Sequence, residues 1–361
     1  MKNQMKILVI APSWVGDMMM SHSLYRTLKV RHPHATIDVM APEWCRALLS
    51  RMPEVAQIWT MPIGHGQLAL FERRRLGIQL RSERYQRAYI LPNSFKSALI
   101  PFFARIPHRI GWRGEMRYGL LNDWRILKPA AFPMMVQRYV ALADDVSDMK
   151  TQALSAAHLP QAFLWPQLQV TEKAVAEVKA VFSLKNDPPL IGFCPGAEFG
   201  PAKRWPHYHY AALAQTLIEK GYQIVLLGSA QDKHTGQKIR SALNPKAQEH
   251  CHDFTGHTSL EQAIDLIAAC GAIVTNDSGL MHIAAALNQP LVALYGPSNP
   301  DFTPPLSPKA RVIRLISGYH KIRKGDDSDG YHDSLIRITP EQVMAALQTL
   351  CDTSHPDEAQ E

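Results

Sequence analysis

The sequence predicts an α/β protein made of two doubly wound domains with a cleft between them. Three observations lead there. Short β-rich apolar runs alternate with helical patterns along almost the whole chain, which is how a parallel sheet covered by helices reads. The alternation is interrupted once, by a proline-bearing stretch at 158–166, and then restarts. The chain also has 361 residues, more than one ordinary domain of roughly 150.

In the first half the strand candidates are 6–11, 36–41, 56–60 and 88–92, each a compact apolar run. Helical patterns fill the gaps at 21–31, 43–51, 68–84 and 94–104, and another follows at 134–146. In the second half strands are expected at 190–195, 223–228, 272–275 and 291–295. Helices are expected at 208–220, 233–243, 260–269 and 279–287. These runs place the domains at 1–160 and 161–335. A last segment at 336–361 is read as a helix that packs back toward the N-terminal domain, with a frayed tail. No repeat of 20–50 residues and no low-complexity segment stands out.

Composition excludes several classes. Hydrophobic residues make up 46% and charged residues 20%, which is ordinary globular usage rather than a disordered or fibrous chain. The apolar run at 7–11 is ended by Pro12, too short for a signal-peptide core, and no stretch reaches the roughly 20 apolar residues of a membrane-spanning helix. Five widely spaced cysteines without a CxxC pair argue against disulfides and a zinc site. A cytoplasmic protein, at most peripheral on a membrane, is the expectation. The net charge of +7 hides an asymmetry: residues 1–165 carry +11 and residues 166–361 carry −4. A basic half implies an anionic partner.

Ligands gather at the carboxyl ends of strands in open α/β sheets. The first such loop, Ala11-Pro12-Ser13-Trp14-Val15-Gly16-Asp17, has one glycine where a dinucleotide fingerprint needs three. It offers instead a carboxylate, Asp17, which is either functional or a helix-cap or first-turn acid favoured by the helix dipole. Three loops of the second half carry more. Pro195-Gly196-Ala197-Glu198-Phe199-Gly200-Pro201-Ala202-Lys203-Arg204-Trp205-Pro206 delivers a Lys–Arg pair before a helix that Pro206 can open, an anion site or a solvated basic turn. Gly228-Ser229-Ala230-Gln231-Asp232 places an acid where it can hold a ribose diol or cap a helix. In Thr275-Asn276-Asp277-Ser278-Gly279-Leu280-Met281-His282, Asp277 or Ser278 can cap the helix and aim free amides at a pyrophosphate. His282, one turn on, is a ligand or a buried histidine. Together the three loops point to a nucleotide site.

With Pro-Asn-Ser-Phe-Lys-Ser at 92–97 and Gly-Trp-Arg-Gly-Glu-Met-Arg-Tyr at 111–118, these motifs resemble the bacterial lipopolysaccharide heptosyltransferase family over nearly the whole chain. The resemblance implies a GT-B fold, two Rossmann-like doubly wound domains facing a cleft. It implies inverting glycosyl transfer with neither metal nor cofactor. The donor would be ADP-heptose and the acceptor heptosyl-Kdo2–lipid A, extended at the 3-hydroxyl of its first heptose. The catalytic carboxylate falls on Asp17 and a donor phosphate contact on Lys203. The ribose acid falls on Asp232, an Asp where a relative has Glu. Asp277, Ser278, Gly279 and His282 match the donor loop. The relatives' threonines ahead of the lysine are absent here.

Ser13, Lys96, Arg113 and Arg117 are the candidates for the acceptor. Between residues 66 and 125 there are 12 Lys/Arg against 4 Asp/Glu, a density suited to acceptor phosphates and to an anionic inner membrane leaflet. Arg73, Arg74 and Arg75, with Arg81, Arg84 and Arg87, invite a basic nucleic-acid-binding reading or form a solvated helix face. Nucleic acid is not expected as a partner, because interleaved aromatics for base stacking are few. The nearest alternative is a related transferase using another nucleotide sugar or core acceptor. Asp327 and Asp329 spell a DxD pair inside a polar loop and read as a solvated turn; His207 and His209 read as a helix start.

Overall fold

The computed structural model describes residues 4–64, 66–144, 164–198, 200–318, 322 and 325–352. The chain divides into two compact units, Met1–Pro166 and Gln167–Glu361. The first holds strands β1 (Lys6–Ile10), β2 (Thr36–Ala41), β3 (Val55–Thr60), β4 (Arg87–Ile90), β5 (His108–Trp112) and β6 (Asp123–Arg125). They form one parallel sheet in the order β3-β2-β1-β4-β5-β6. The second unit holds β7 (Leu190–Cys194), β8 (Gln223–Leu226), β9 (Cys251–Asp253), β10 (Ala272–Asn276), β11 (Leu291–Tyr295) and β12 (Ala310–Arg314). Its parallel order is β12-β11-β10-β7-β8-β9. Numbered within its own unit, each sheet is the doubly wound arrangement in which the chain runs to one edge, returns to the centre and runs to the other. The return makes a switch point, between β1 and β4 in one sheet and β7 and β10 in the other, where the carboxyl-end loops diverge and leave a crevice.

The central strands are the ones the sequence shows. Ile7, Leu8 and Val9 have no exposed surface, and every residue of β7, β10 and β11 is buried. A strand covered on both faces must be apolar throughout. Four flanking strands were not predicted: β5 (HRIGW), β6 (DWR), β9 (CHD) and β12 (ARVIR). They carry polar residues because they lie at or near sheet edges and are partly solvated.

Helix α1 (Val15–Arg31) begins earlier than position 21. Residues 18 to 25 of it are all buried, so the start has no polar face to give a 3.6-residue period. The other longer helices are α2 (Leu70–Gln79), α3 (Leu99–Phe103), α4 (Met135–Val140), α5 (Glu172–Val181), α6 (His207–Glu219), α7 (Lys233–Ser241), α8 (Leu260–Ala269), α9 (Gly279–Ala286) and α10 (Pro340–Asp352). Helix α5 was missed; Thr171 caps it, its Oγ1 accepting the Ala174 N–H at 3.2 Å. Helix α10 places Val343, Leu347 and Leu350 in the second unit's own core. The proline stretch at 158–166 and the tail at 353–361 lie partly or wholly outside the described residues.

Candidate active site

The loop after β1 is short. The Ala11 N–H still bonds to Met40 O at 3.0 Å and the Leu91 N–H to Ile10 O at 3.1 Å, so the loops after β1 and β4 leave the same end of the sheet. Asp17 stands in the first turn of α1, and its Oδ1 accepts a hydrogen bond from the Tyr139 hydroxyl at 3.2 Å. Tyr139 sits on α4, buried against α1. Burial raises the Asp17 carboxyl above its ordinary range, and the Tyr139 bond opposes that rise by favouring the charged form. Sequence reading did not find Tyr139, 122 residues away.

A cavity of about 370 Å³ opens at these strand ends. Ser13 lines it from the β1 loop, Trp44 from the β2 side, Met61 and Gly64 from the β3 side, and Ser94 and Lys96 from the β4 loop. Among the described residues the Lys96 ammonium has no hydrogen-bond or ion-pair partner. Arg73 also lines it, but is buried, its Nε donating to Leu68 O at 2.6 Å. The arginine cluster is therefore divided: Arg73 braces the loop before α2, while Arg74 and Arg75 are exposed.

Arg117 is not where an acceptor could meet it. It is 3% exposed, and its guanidinium donates to Pro92 O at 2.7 Å, to Ser97 Oγ and Asn93 Oδ1 at 3.3 Å, and to Trp112 O. Burial pushes its pKa down to about 10. Glu115 accepts the Phe95 N–H at 2.8 Å, and a Cβ on Gly114 would stand 2.1 Å from Asn93 O, which only glycine avoids. The 111–118 motif thus clamps the 92–97 motif and holds Lys96 in place. Arg113 is exposed.

In the second unit the switch-point loops meet. Lys203, closing the 3-10 turn Pro201–Lys203, pairs with Asp277 after β10, Nζ to Oδ2 2.9 Å. Either Asp277 or Ser278 was expected to cap α9. Ser278 holds the N-cap position, but no side-chain cap bond is made there. Among the described residues no side chain caps the first-turn amides of α9, which can therefore meet an anion with a lysine beside them. His282, one turn in, is 7% exposed and forms no hydrogen bond among the described residues. Desolvation pushes its pKa down to about 4, with Asp277 opposing, so it is a neutral imidazole.

Asp232 closes a capping box with Ser229 around the 3-10 turn Ala230–Asp232 and makes no side-chain cap bond at the following helix α7. Its Oδ2 accepts the Ser229 N–H at 2.9 Å and the Ser229 hydroxyl at 2.8 Å, and its Oδ1 accepts Arg204 at 3.3 Å. A Cβ on Gly196 would lie 2.5 Å from this carboxylate, so the two loops touch. Asn276 was overlooked as a site residue. Its buried amide donates to Pro195 O at 2.7 Å and Gly196 O at 3.3 Å, while its Oδ1 accepts the Trp205 N–H at 2.9 Å and the Tyr210 hydroxyl at 3.3 Å. All four of its bonds go to the β7 loop and the helix it opens.

A family profile described as "Glycosyltransferase family 9 (heptosyltransferase)" matches residues 73–332. The chain is 68% identical over 346 residues to lipopolysaccharide heptosyltransferase 2 of Salmonella typhimurium, covering 96% of this chain and 98% of that one. It is 67% identical, with the same coverage, to lipopolysaccharide heptosyltransferase 2 of Escherichia coli. The chain belongs to glycosyltransferase family 9. The solved Escherichia coli ADP-heptose lps heptosyltransferase II superposes with a TM-score of 0.89 and 62% identity, covering 97% of this chain and 100% of that one. Two Rossmann-like units in one chain are the GT-B architecture of that family, and this member is a glycosyltransferase.

The other signatures read from the sequence are occupied by internal bonds in this family 9 member. Asp327 Oδ1 accepts the Tyr331 N–H at 2.7 Å, and Asp329 pairs with Lys238 at 2.8 Å. His207 Nδ1 bonds to the Tyr331 hydroxyl at 2.8 Å, and His209 Nε2 to Ile336 O at 2.9 Å. Phe199 of the donor loop lies outside the described residues.

Proposed function

We propose that the chain transfers L-glycero-D-manno-heptose from ADP-heptose to the 3-hydroxyl of the first heptose of heptosyl-Kdo2–lipid A, building the lipopolysaccharide inner core. The observation that carries this reading is the end-to-end 68% identity to a lipopolysaccharide heptosyltransferase 2. The site chemistry supports it. The first unit would be the acceptor domain (1–160) and the second the nucleotide-sugar domain (161–335), with 336–361 following.

Transfer with inversion is one displacement. The acceptor oxygen bonds to the anomeric carbon as the bond to the diphosphate oxygen breaks, and the hydroxyl proton leaves. Asp17 is the base that takes that proton; such catalysis contributes about 10²–10⁴-fold. The Tyr139 bond favours the ionised form that a base requires. The departing ADP gains negative charge, met by Lys203 and the uncapped amides of α9 around Ser278 and Gly279, already oriented before reaction. A lysine and helix amides provide this charge without a metal. Asp277 and neutral His282 shape the donor pocket, and Asp232 and Asn276 fix its loops. Ser13 and Lys96 in the cavity, with Arg113, would meet the acceptor's phosphates and carboxylates; Arg117 would position them.

No helix among the described residues is long and apolar enough to cross a membrane. The acceptor is lipid-anchored, so the enzyme would work peripherally on the cytoplasmic face of the inner membrane. Incubation with ADP-heptose and heptosyl-Kdo2–lipid A tests the reading by mass spectrometry. Gain of a single heptose is expected, undiminished in excess chelator. Gain with a UDP-sugar instead of ADP-heptose would replace the donor assignment.

A further inference from the structure

The outer face of α2 is unlike a solvated helix surface. Positions 71, 74, 75 and 78 share one stripe of the helix, and they are Phe71, Arg74, Arg75 and Ile78, all exposed. Phe71 is 88% exposed, and Leu68 and Leu70 just before it are 51% and 42% exposed. The stripe has a rigid backing. Arg73 is tied to the Leu68 carbonyl, and a Cβ on Gly77 would come 2.5 Å from Phe103 Cβ, so α3 packs hard against the inner face. Helix α3 itself exposes Phe102, whose ring lies 5.6 Å from the Arg109 guanidinium. The one acid on α2, Glu72, is paired with Arg75.

We infer that this stripe, Leu68, Leu70, Phe71, Arg74, Arg75 and Ile78, is the surface that docks on an anionic lipid bilayer. Exposed apolar side chains enter the boundary between headgroups and acyl chains, while arginines at the same level hold lipid phosphates. The unit's charge of +11 complements such a surface. The stripe also adjoins the cavity: Arg73 on the same helix and Gly64 and Gly66 in the preceding loop line it. Docking here keeps a lipid anchor in the bilayer while its sugars reach the cavity, a point that rests on the acceptor proposed above.

Flotation of the full chain with phosphatidylethanolamine–phosphatidylglycerol vesicles that contain no acceptor tests the surface independently of the reaction. The wild type should float with these vesicles, and phosphatidylcholine vesicles should hold it at least about tenfold more weakly. Leu68→Ser/Phe71→Ser and Arg74→Glu/Arg75→Glu should each lower anionic-vesicle partition about tenfold or more, with unchanged thermal melting. Both variants should keep wild-type turnover on a deacylated, water-soluble acceptor and lose rate on acceptor embedded in vesicles. Equal flotation of wild type and variants, or of anionic and neutral vesicles, overturns the inference. So does a wild-type dimer that Phe71→Ser dissociates, which would assign the face to a second copy. If no acceptor is turned over at all, the proposed reaction fails while the flotation result still decides the surface.

Discussion

Replacing Lys203 with alanine removes two interactions at once. Its ammonium, 2.9 Å from Asp277 Oδ2, balances a carboxylate whose side chain is only 10% exposed, and it would also meet the donor diphosphate. A hydrogen bond to a charged group contributes about 1.5–3 kcal/mol, and about 1.4 kcal/mol is tenfold in binding. Loss of the phosphate contact should therefore raise the donor Michaelis constant about 10- to 100-fold. The orphaned Asp277 adds repulsion toward the incoming diphosphate. Adding Asp277→Asn to Lys203→Ala should recover part of the loss, with a coupling of about 0.5–3 kcal/mol for residues in contact. Initial rates of ADP release with donor varied, and calorimetric titration with ADP, measure both effects. A Lys203→Ala enzyme with wild-type donor Michaelis constant and ADP affinity would remove Lys203 from the phosphate site. Strict additivity in the double variant would refute the coupling.

Tyr139→Phe deletes the bond that opposes the burial-driven rise of the Asp17 pKa, so that pKa moves higher still. The acidic limb of kcat/KM against pH should shift to higher pH, costing about tenfold in rate on the acid side for a charged hydrogen bond at the weak end of its range; a superimposable profile would contradict the bond's role. Arg117→Ala leaves the Pro92 and Trp112 carbonyls without their buried partner and should cost about 2–4 kcal/mol in denaturant unfolding. Lys96→Ala should stay within about 0.5 kcal/mol of wild type in stability and raise the acceptor Michaelis constant instead. An Arg117→Ala protein of native stability with a selective acceptor defect would return Arg117 to the acceptor contacts.

The central strands and the loops leaving β1, β7, β8 and β10 were legible because their signals are local. A fully buried parallel strand is a continuous apolar run, and a loop that begins a helix after it shows its glycines, acids and lysines in a few adjacent residues. The edge strand β3 was legible, but β6, β9 and β12 at the other edges and β5 next to one were not, since three to five residues of mixed polarity such as CHD or HRIGW have no distinctive pattern. The start of α1 was hidden by burial on all sides. Positioning residues were hidden for a different reason. Tyr139 reaches Asp17 across 122 residues, Asn276 reaches the β7 loop across about 80, and Arg117 looks from sequence like any basic residue in a basic domain. Only the packing shows that its charge is spent on carbonyls. The Asp277 cap was misjudged because its partner, Lys203, comes from a loop 74 residues away.

The central claim is that Asp17 takes the proton of the acceptor hydroxyl. Asp17→Asn, nearly identical in shape, tests it in a single-turnover assay with ADP affinity and thermal stability measured alongside. Because burial raises the folded pKa of Asp17, ionising it costs stability once pH rises through that pKa. The Asn variant should therefore melt no lower than wild type at neutral pH, with any advantage vanishing as pH falls below the ordinary carboxylate range. ADP should bind as before, and heptose transfer should fall by about 10²–10⁴-fold. Transfer by Asp17→Asn at close to the wild-type rate would contradict the account.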